Sequence, residues 1–437
     1  MGQGDSERQQ LGTWMTTALA ISGIIGVGIY MLPRSLVPLG QSASYAWLIS
    51  TIGITALAFA ASRLVTPDGG GMQSYIGAQL GSGAAFVVIW STWISYCVSA
   101  AAIAVAVVSF VSILVPALGQ PAVLPAAAIG VLALLTLINA LGVRKTGSLA
   151  IVTVLIRILP LLAVAGVAWF LPTGSKVTTT AAAAPVSLAN LGIATSLTFF
   201  ALMGFEGVLA PVGKIRDPQR TIPGAIIFAT VFTAGLYFVA TQSLALITTP
   251  SAIERSASPF ADAIGSHWGA AASALTTLTI AVSAFGCLSA TVLGIGEMLY
   301  SMALRREVPP FFAKVSNRNV PINALIAGSS FAALLILLNS SKATVALFTF
   351  LTALASDGLL VLYAAAAIAA LKVSQHLLTR LAVAVGLLFS IFAFYGSGLE
   401  ATLLVVALAA FGLVMRALLL RGRSTQPTEL APAAPGG

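Results

Sequence analysis

The stretch ALAISGIIGVGIYMLPRSL, residues 18–36, decides how this chain is read. It is apolar enough to cross a bilayer, yet Gly23, Gly26 and Gly28 fall within six residues at its middle. A glycine inside a helix costs about 1 kcal/mol relative to alanine. Three together mark a place where a spanning helix is interrupted. A second such place is TFFALMGFEGVLAPVG, residues 198–213, where Gly204 and Gly207 flank Glu206 and Pro211 follows. Glycines in membrane helices also serve close packing, but two clusters in corresponding spans favour interruption.

Working outward, the composition names the solvent. Hydrophobic residues make up 58% of the 437 residues and charged residues only 8%. A soluble domain carries roughly a quarter charged residues, so this chain cannot cover a water-facing surface, and lipid is its main surroundings. A spanning helix needs about 20 mostly apolar residues. Spans are predicted near 13–37, 42–65, 83–116, 122–141, 148–171, 188–212, 222–248, 270–304, 321–338, 343–371, 378–396 and 399–420. The expected fold class is an all-α integral membrane protein of about twelve transmembrane helices, with spans one and six discontinuous.

The basic residues orient it. With the N-terminus in the cytoplasm, sixteen of the 21 Lys and Arg fall inside, from Arg8 to Arg423. Lys176, Arg255 and Lys342 fall outside, and Arg34 and Arg157 lie within spans. This is the positive-inside bias, so the excess of basic over acidic residues reads as topology. Interleaved basic and aromatic stretches are absent, and nucleic acid is not an expected partner. MGQGDSERQQ, residues 1–10, lacks the parts of a secretory signal, so the first span is expected to be retained. The expected location is an inner membrane, with both termini cytoplasmic.

The expected organisation is a tail (1–12), a first repeat (13–172), a second repeat (187–371), two additional spans (378–420) and a disordered tail (421–437). Residues 173–187 read as an outside loop. Residues 214–225 read as an inside loop in which Pro218 and Pro223 break helix continuity. Cys97 and Cys287 lie in apolar runs, imply no disulfide framework and are expected to act as small core hydrophobes. Trp47, Trp169 and Trp268 fall near span ends, as in an interfacial belt. Trp90 and Trp93 read as packing, and Tyr96 as a candidate for the cavity wall. His267, His376 and the carboxylates show no metal-ligand spacing, and no cofactor is expected.

Each interrupted helix would expose unpaired backbone groups at mid-membrane. The N-terminus of one half-helix offers N–H groups and partial positive charge, which suit a carboxylate. The C-terminal carbonyls of the other half accept from an ammonium. A zwitterionic amino acid presents both groups on one carbon.

These residues resemble a known family. SGIIGVGIY (22–30) is similar to the first-helix motif of the amino acid–polyamine–organocation (APC) superfamily, and FFALMGFEG (199–207) to its sixth-helix motif. IRDPQRTIPGA (215–225), SASPFADAIG (256–265) and GEMLYSMALRREVPPFFAKVS (296–316) extend the likeness over nearly the whole chain. It is strongest toward the basic amino acid/polyamine antiporter branch. The resemblance implies a LeuT-type inverted repeat of five plus five helices. It puts the substrate carboxylate near Gly26, Val27 and Gly28. The amine would face the carbonyls of Ile24, Phe200 and Met203, with Gly204 and Thr291 beside them. Many relatives have serine where Val27 stands, and the arginine/agmatine antiporter has tryptophan where Phe200 stands. A phenyl ring stacks on a cation more weakly than indole.

Charges within spans are costly and so are candidates for function. Glu206 lies beside the sixth-helix break and is expected to serve coupling or gating. Arg157 occupies the place where several proton-coupled relatives carry a lysine standing in for sodium. Its guanidinium stays charged at physiological pH, so sodium-independent transport is expected. Asp357 reads as a second coupling candidate, and Glu297 as the partner of a nearby cation.

The leading reading is a secondary transporter working by alternating access, on an amino acid or, alternatively, a polyamine or related amine. Lipid is its solvent, and a homodimer is left open. An enzyme would need a converging catalytic set, which dispersed carboxylates and distant histidines do not make. A channel would favour filter loops or rings of charge. An ATP-driven pump would need a GxxxxGK[ST] phosphate loop, and the chain has none.

Overall fold

A computed structural model describes residues 11–65, 71–141, 148–171, 185–209, 215–318 and 320–424. Among these residues every regular element is helical, and a single β-bridge joins Leu11 to Ile215. In chain order the helices are α1 (Thr13–Ile24), α2 (Gly28–Leu36), α3 (Gln41–Ser62), α4 (Gly71–Leu80), α5 (Ser82–Val111), α6 (Leu124–Ala140), α7 (Ser148–Phe170) and α8 (Leu188–Leu202). A 3-10 turn, Phe205–Leu209, follows α8. Then come α9 (Pro218–Ile247), α10 (Pro250–Arg255), α11 (Pro259–Trp268), α12 (Ala270–Leu304), α13 (Ile322–Leu338), α14 (Thr344–Val373), α15 (Leu377–Ser397) and α16 (Leu399–Ser424).

Eight helical stretches, one of them α8 taken on through its 3-10 turn to Val208, are long and apolar enough to cross a membrane, and α1 with α2 makes a ninth span bent by 44°. The apolar helices Leu124–Ala140, Val154–Phe170 and Ile322–Leu338 are shorter. Together they follow the order of the predicted spans. α5 is the central post, with 89% of its apolar window buried, whereas α16 lies at the periphery with 11%.

Three expectations need correction. The stretch 214–225 is not all loop, because α9 already begins at Pro218 and runs through Pro223. Pro218 suits the first helical position, where its missing N–H had no partner to lose, whereas Pro223 is carried inside the helix. Trp47 is 2% exposed and packs edge-on against Tyr237 at 5.8 Å, so it is core rather than interfacial. Trp169 and Trp268 are exposed. The last helix extends to Ser424, beyond the boundary placed at 420. Residues 1–10 of the predicted tail 1–12, residues 425–437 of the predicted tail 421–437, and most of the predicted loop at 173–187 lie outside the described residues.

Polar contacts close both ends of the bundle. Where α1 begins and α16 finishes, Arg216 N–H bonds to Leu11 O (3.0 Å), Gln73 Nε2 to Glu307 Oε2 (3.3 Å) and Lys372 Nζ to Gln79 O (2.7 Å). At the opposite end Ser35 and Thr349 share a hydroxyl hydrogen bond (2.9 Å), and Lys342 pairs with Glu400 (3.1 Å). Between them, stacked rings of Phe86, Trp90, Trp93 and Phe331 pack α5 against α13.

Candidate functional site

The first break follows from its residues. At the end of α1, Ile25 N–H still reaches Ile21 O (2.8 Å), but Gly26 N–H folds back onto Ile24 O (2.8 Å). The chain then swings into α2, whose N-terminal amides have no side-chain cap. Those amides are the positive end of the α2 dipole. The second break is sharper. α8 finishes at Leu202 and Met203 turns extended, with ψ 161°. Gly204 then takes φ +120°, a region a β-carbon disfavours. Its N–H leaves the helical ladder and bonds Glu206 Oε2 at 3.0 Å. The last carbonyls of α8 thereby lose their continuing donors.

The two breaks touch through main chain. A methyl built on Gly23 would lie 2.5 Å from Gly204 O, and one on Gly204 would overlap the backbone of Gly23. Beside this crossing lies a cavity of about 120 Å³. The eight residues assigned above to substrate binding, Ile24, Gly26, Val27, Gly28, Phe200, Met203, Gly204 and Thr291, all border it, as does Glu206. The Phe200 ring faces Gly28, where a methyl would come within 3.1 Å of it.

Glu206 is held by three donors from three parts of the chain. Tyr363 OH of α14 and Gly204 N–H bond Oε2, and Tyr96 OH of α5 bonds Oε1 at 3.3 Å. Phe205 stacks on Tyr363 with ring centres 4.6 Å apart. The carboxylate thus links the broken span to α5 and α14 at the wall of the cavity.

Arg157 does not line the cavity. It sits behind the first break, 7% exposed, with Nη1 donating to Ile25 O (2.8 Å) and Ser22 O (3.5 Å). Tyr30 OH donates to the Arg157 carbonyl, and Gly286 of α12 lies close to Nη2. The guanidinium therefore joins α7 to the end of α1. Asp357 is fully buried on another face of α14, where Thr402 Oγ1 of α16 donates to Oδ2 (2.9 Å). The structure does not bring it to Glu206 or to the cavity.

The acceptor assignment changes at one atom. Ile24 O already receives Gly26 N–H and Tyr237 OH (3.4 Å), which occupies both lone pairs of a carbonyl. Thr291 Oγ1 donates to Cys287 O of its own helix (2.9 Å). Cys97 is buried as expected, whereas Cys287 is only half-buried and borders the cavity. Sequence reasoning missed Ser99 and Ile103, which with Tyr96 form one face of α5 toward the cavity. The signal was a polar side chain at helical spacing in an apolar span. The Ser99 hydroxyl is buried and has no hydrogen-bond partner among the described residues. Among the described residues no group of three or more His, Cys, Asp or Glu is placed to hold a metal ion.

Comparison with known proteins gives a consistent picture. The sequence pattern of the family described as amino acid permease matches residues 11–414. The chain is 26% identical over 409 residues to the putrescine transporter PotE of Haemophilus influenzae, covering 91% of this chain and 94% of that protein. It is 27% identical over 410 residues to the putrescine transporter PotE of Escherichia coli K12, covering 91% and 93%. It is also 28% identical over 348 residues to the cadaverine/lysine antiporter of that strain, covering 76% of each chain.

Proposed function

The chain belongs to the amino acid permease family, and from that membership we propose that it carries an amino acid, or an amine of similar length, between its two broken helices by alternating access. It is a secondary transporter by kinship. The observation that carries the substrate reading is the single cavity bounded by both breaks. One wall offers the uncapped amides of α2, which suit a carboxylate. The other offers the orphan carbonyls of α8 and the Glu206 carboxylate, which suit an ammonium.

A diamine is the second reading. The relatives named for putrescine, cadaverine and lysine favour it, since their substrates share an alkylammonium end. Glu206 and the α8 carbonyls would take one ammonium. A second ammonium would meet the positive end of α2, which favours the amino acid over the diamine.

Glu206 couples the cavity to the bundle, because its three donors come from elements that separate as the breaks open. Arg157 supplies a fixed cation to the carbonyls at the end of α1, so no sodium ion is needed there. Twelve spans, inner-membrane location and cytoplasmic termini complete the proposal.

The test is exchange in proteoliposomes loaded with lysine, ornithine, putrescine, cadaverine or neutral amino acids. Saturable counterflow that is indifferent to replacing sodium by choline is expected. Glu206→Gln should slow exchange about 100-fold or more while substrate still stabilises the protein, a loss of about 2.7 kcal/mol. Sodium-stimulated uptake would refute the role given to Arg157. Counterflow with none of these solutes would refute the substrate class.

A further inference from the structure

A second cavity lies off the substrate route. It measures about 530 Å³, against about 120 Å³ for the central one. Its walls are the far end of α2, the start of α3, the last turns of α9, and α10. Helix α2 is the partition, with Gly28 bordering the central cavity and Pro33 and Leu36 bordering the second.

The lining is amphipathic. Leu36, Trp47, Leu244 and Ile253 contribute apolar side chains, and Gln242, Thr248 and the exposed Glu254 contribute polar ones. Ser44 Oγ donates to Gln242 Oε1 (3.2 Å), and the Thr248 hydroxyl is buried with no partner among the described residues. Glu254 is the one ionisable side chain among the lining residues. Arg34 nearby directs its Nε to the backbone oxygen of Glu254 (3.3 Å), not to the carboxylate. Tyr45 and Leu48 beside Ser44, and Leu246 beside Ala245, are exposed large apolar side chains flanking the lining. A ligand that fits needs an apolar body arriving from the bilayer and a cationic donor for the Glu254 carboxylate.

We propose that this cavity binds an aminophospholipid, phosphatidylethanolamine, with its ammonium on Glu254 and an acyl chain along Leu36, Trp47 and Leu244. The lipid so held wedges α2 and restrains the tilt of that half-helix. Binding stands on the cavity alone, whereas the restraint of α2 rests on the transport reading above.

The full chain, stripped of lipid in detergent, is titrated with phosphatidylethanolamine, phosphatidylcholine and phosphatidylglycerol and followed by native mass spectrometry. One saturable adduct with phosphatidylethanolamine is expected, with weaker retention of the other two. Glu254→Gln should lower its occupancy about tenfold and erase the headgroup preference, as loss of one charge-assisted hydrogen bond predicts. Ala245 is exposed on the cavity wall, so Ala245→Trp fills the space without entering the core and should abolish the adduct for every lipid. Equal retention of all three lipids by the unsubstituted protein, or unchanged retention by Ala245→Trp, overturns the site. Stabilisation by free ethanolamine equal to that by the lipid also overturns it, by showing a soluble-amine site. Exchange in vesicles with and without phosphatidylethanolamine then tests α2. A rate indifferent to the lipid while the adduct persists overturns the wedge, and no exchange at all with the adduct intact overturns the transport reading instead.

Discussion

At the scale of single residues, the glycines of the first break divide into those that face main chain and those that face space. A methyl at Gly23 must push Gly204 away, whereas a methyl at Gly26 meets nothing closer than 3.9 Å. Gly23→Ala is therefore expected to cost about 1–3 kcal/mol, the usual range for overpacking. Its unfolding midpoint in detergent should fall and transport should fail with it. Gly26→Ala should keep the midpoint and change only KM, by shrinking the cavity. Equal midpoints would argue against the crossing. The spacing of glycines disclosed both breaks, because a glycine cluster is costly in any uninterrupted helix. It could not say which glycine meets which backbone, since that depends on where the sixth span crosses the first. The same blindness applied to Ile24, whose carbonyl the sequence offered to substrate while Tyr237, over 200 residues away, already occupies it. Ser99 and Cys287 were hidden for the converse reason. In an apolar helix, a small polar side chain looks alike whether it faces a cavity or a neighbour.

At the scale of elements, the last two helices share α14 as a neighbour but otherwise dock on different partners. Phe389 of α15 fills the space over Gly53 of α3, Leu57 of α3 fills that over Gly386, and Gly396 lies against the backbone of Gly192 in α8. α16 instead lies on α5, where Trp90 Nε1 donates to Leu408 O (2.8 Å) and the Arg416 guanidinium sits 5.2 Å from the Phe86 ring centre. The turn between them holds Gly398 at φ +85°. Gly396→Val is expected to drive α15 off α8 and to lower the unfolding midpoint. Ala407→Val on α16 is the control: Ala407 is exposed where Gly396 is enclosed, so the midpoint should barely move. Comparable losses in both variants would count against the docking of α15. The sequence told that two extra spans exist and nothing about where they rest. Apolar periodicity locates a helix in lipid, but glycine-to-ring pairing is a property of two helices at once. The proline correction at α9 has the opposite character, because it was local and could have been read from the tolerance of proline at a helix start.

At the scale of the whole molecule, burial is graded from α5 at the centre to α16 at the rim, as expected of helices sharing lipid as solvent. The bias of basic residues to one side supplied an orientation before any coordinates. It can be checked by a membrane-impermeant maleimide on intact cells, in a Cys287→Ser background. Ser340→Cys and Asn317→Cys both place a thiol at an exposed position, on opposite predicted sides. The first should label directly and the second only after permeabilisation; the reverse pattern would invert the topology. One whole-molecule consequence follows from the bridge between Leu11 and Ile215. The chain ahead of α1 is stitched to the chain beyond the sixth span there, and the same two segments meet again at Gly23 and Gly204. Two fixed points define an axis. Any relative motion that keeps both contacts is confined to a swing about that line, a single degree of freedom.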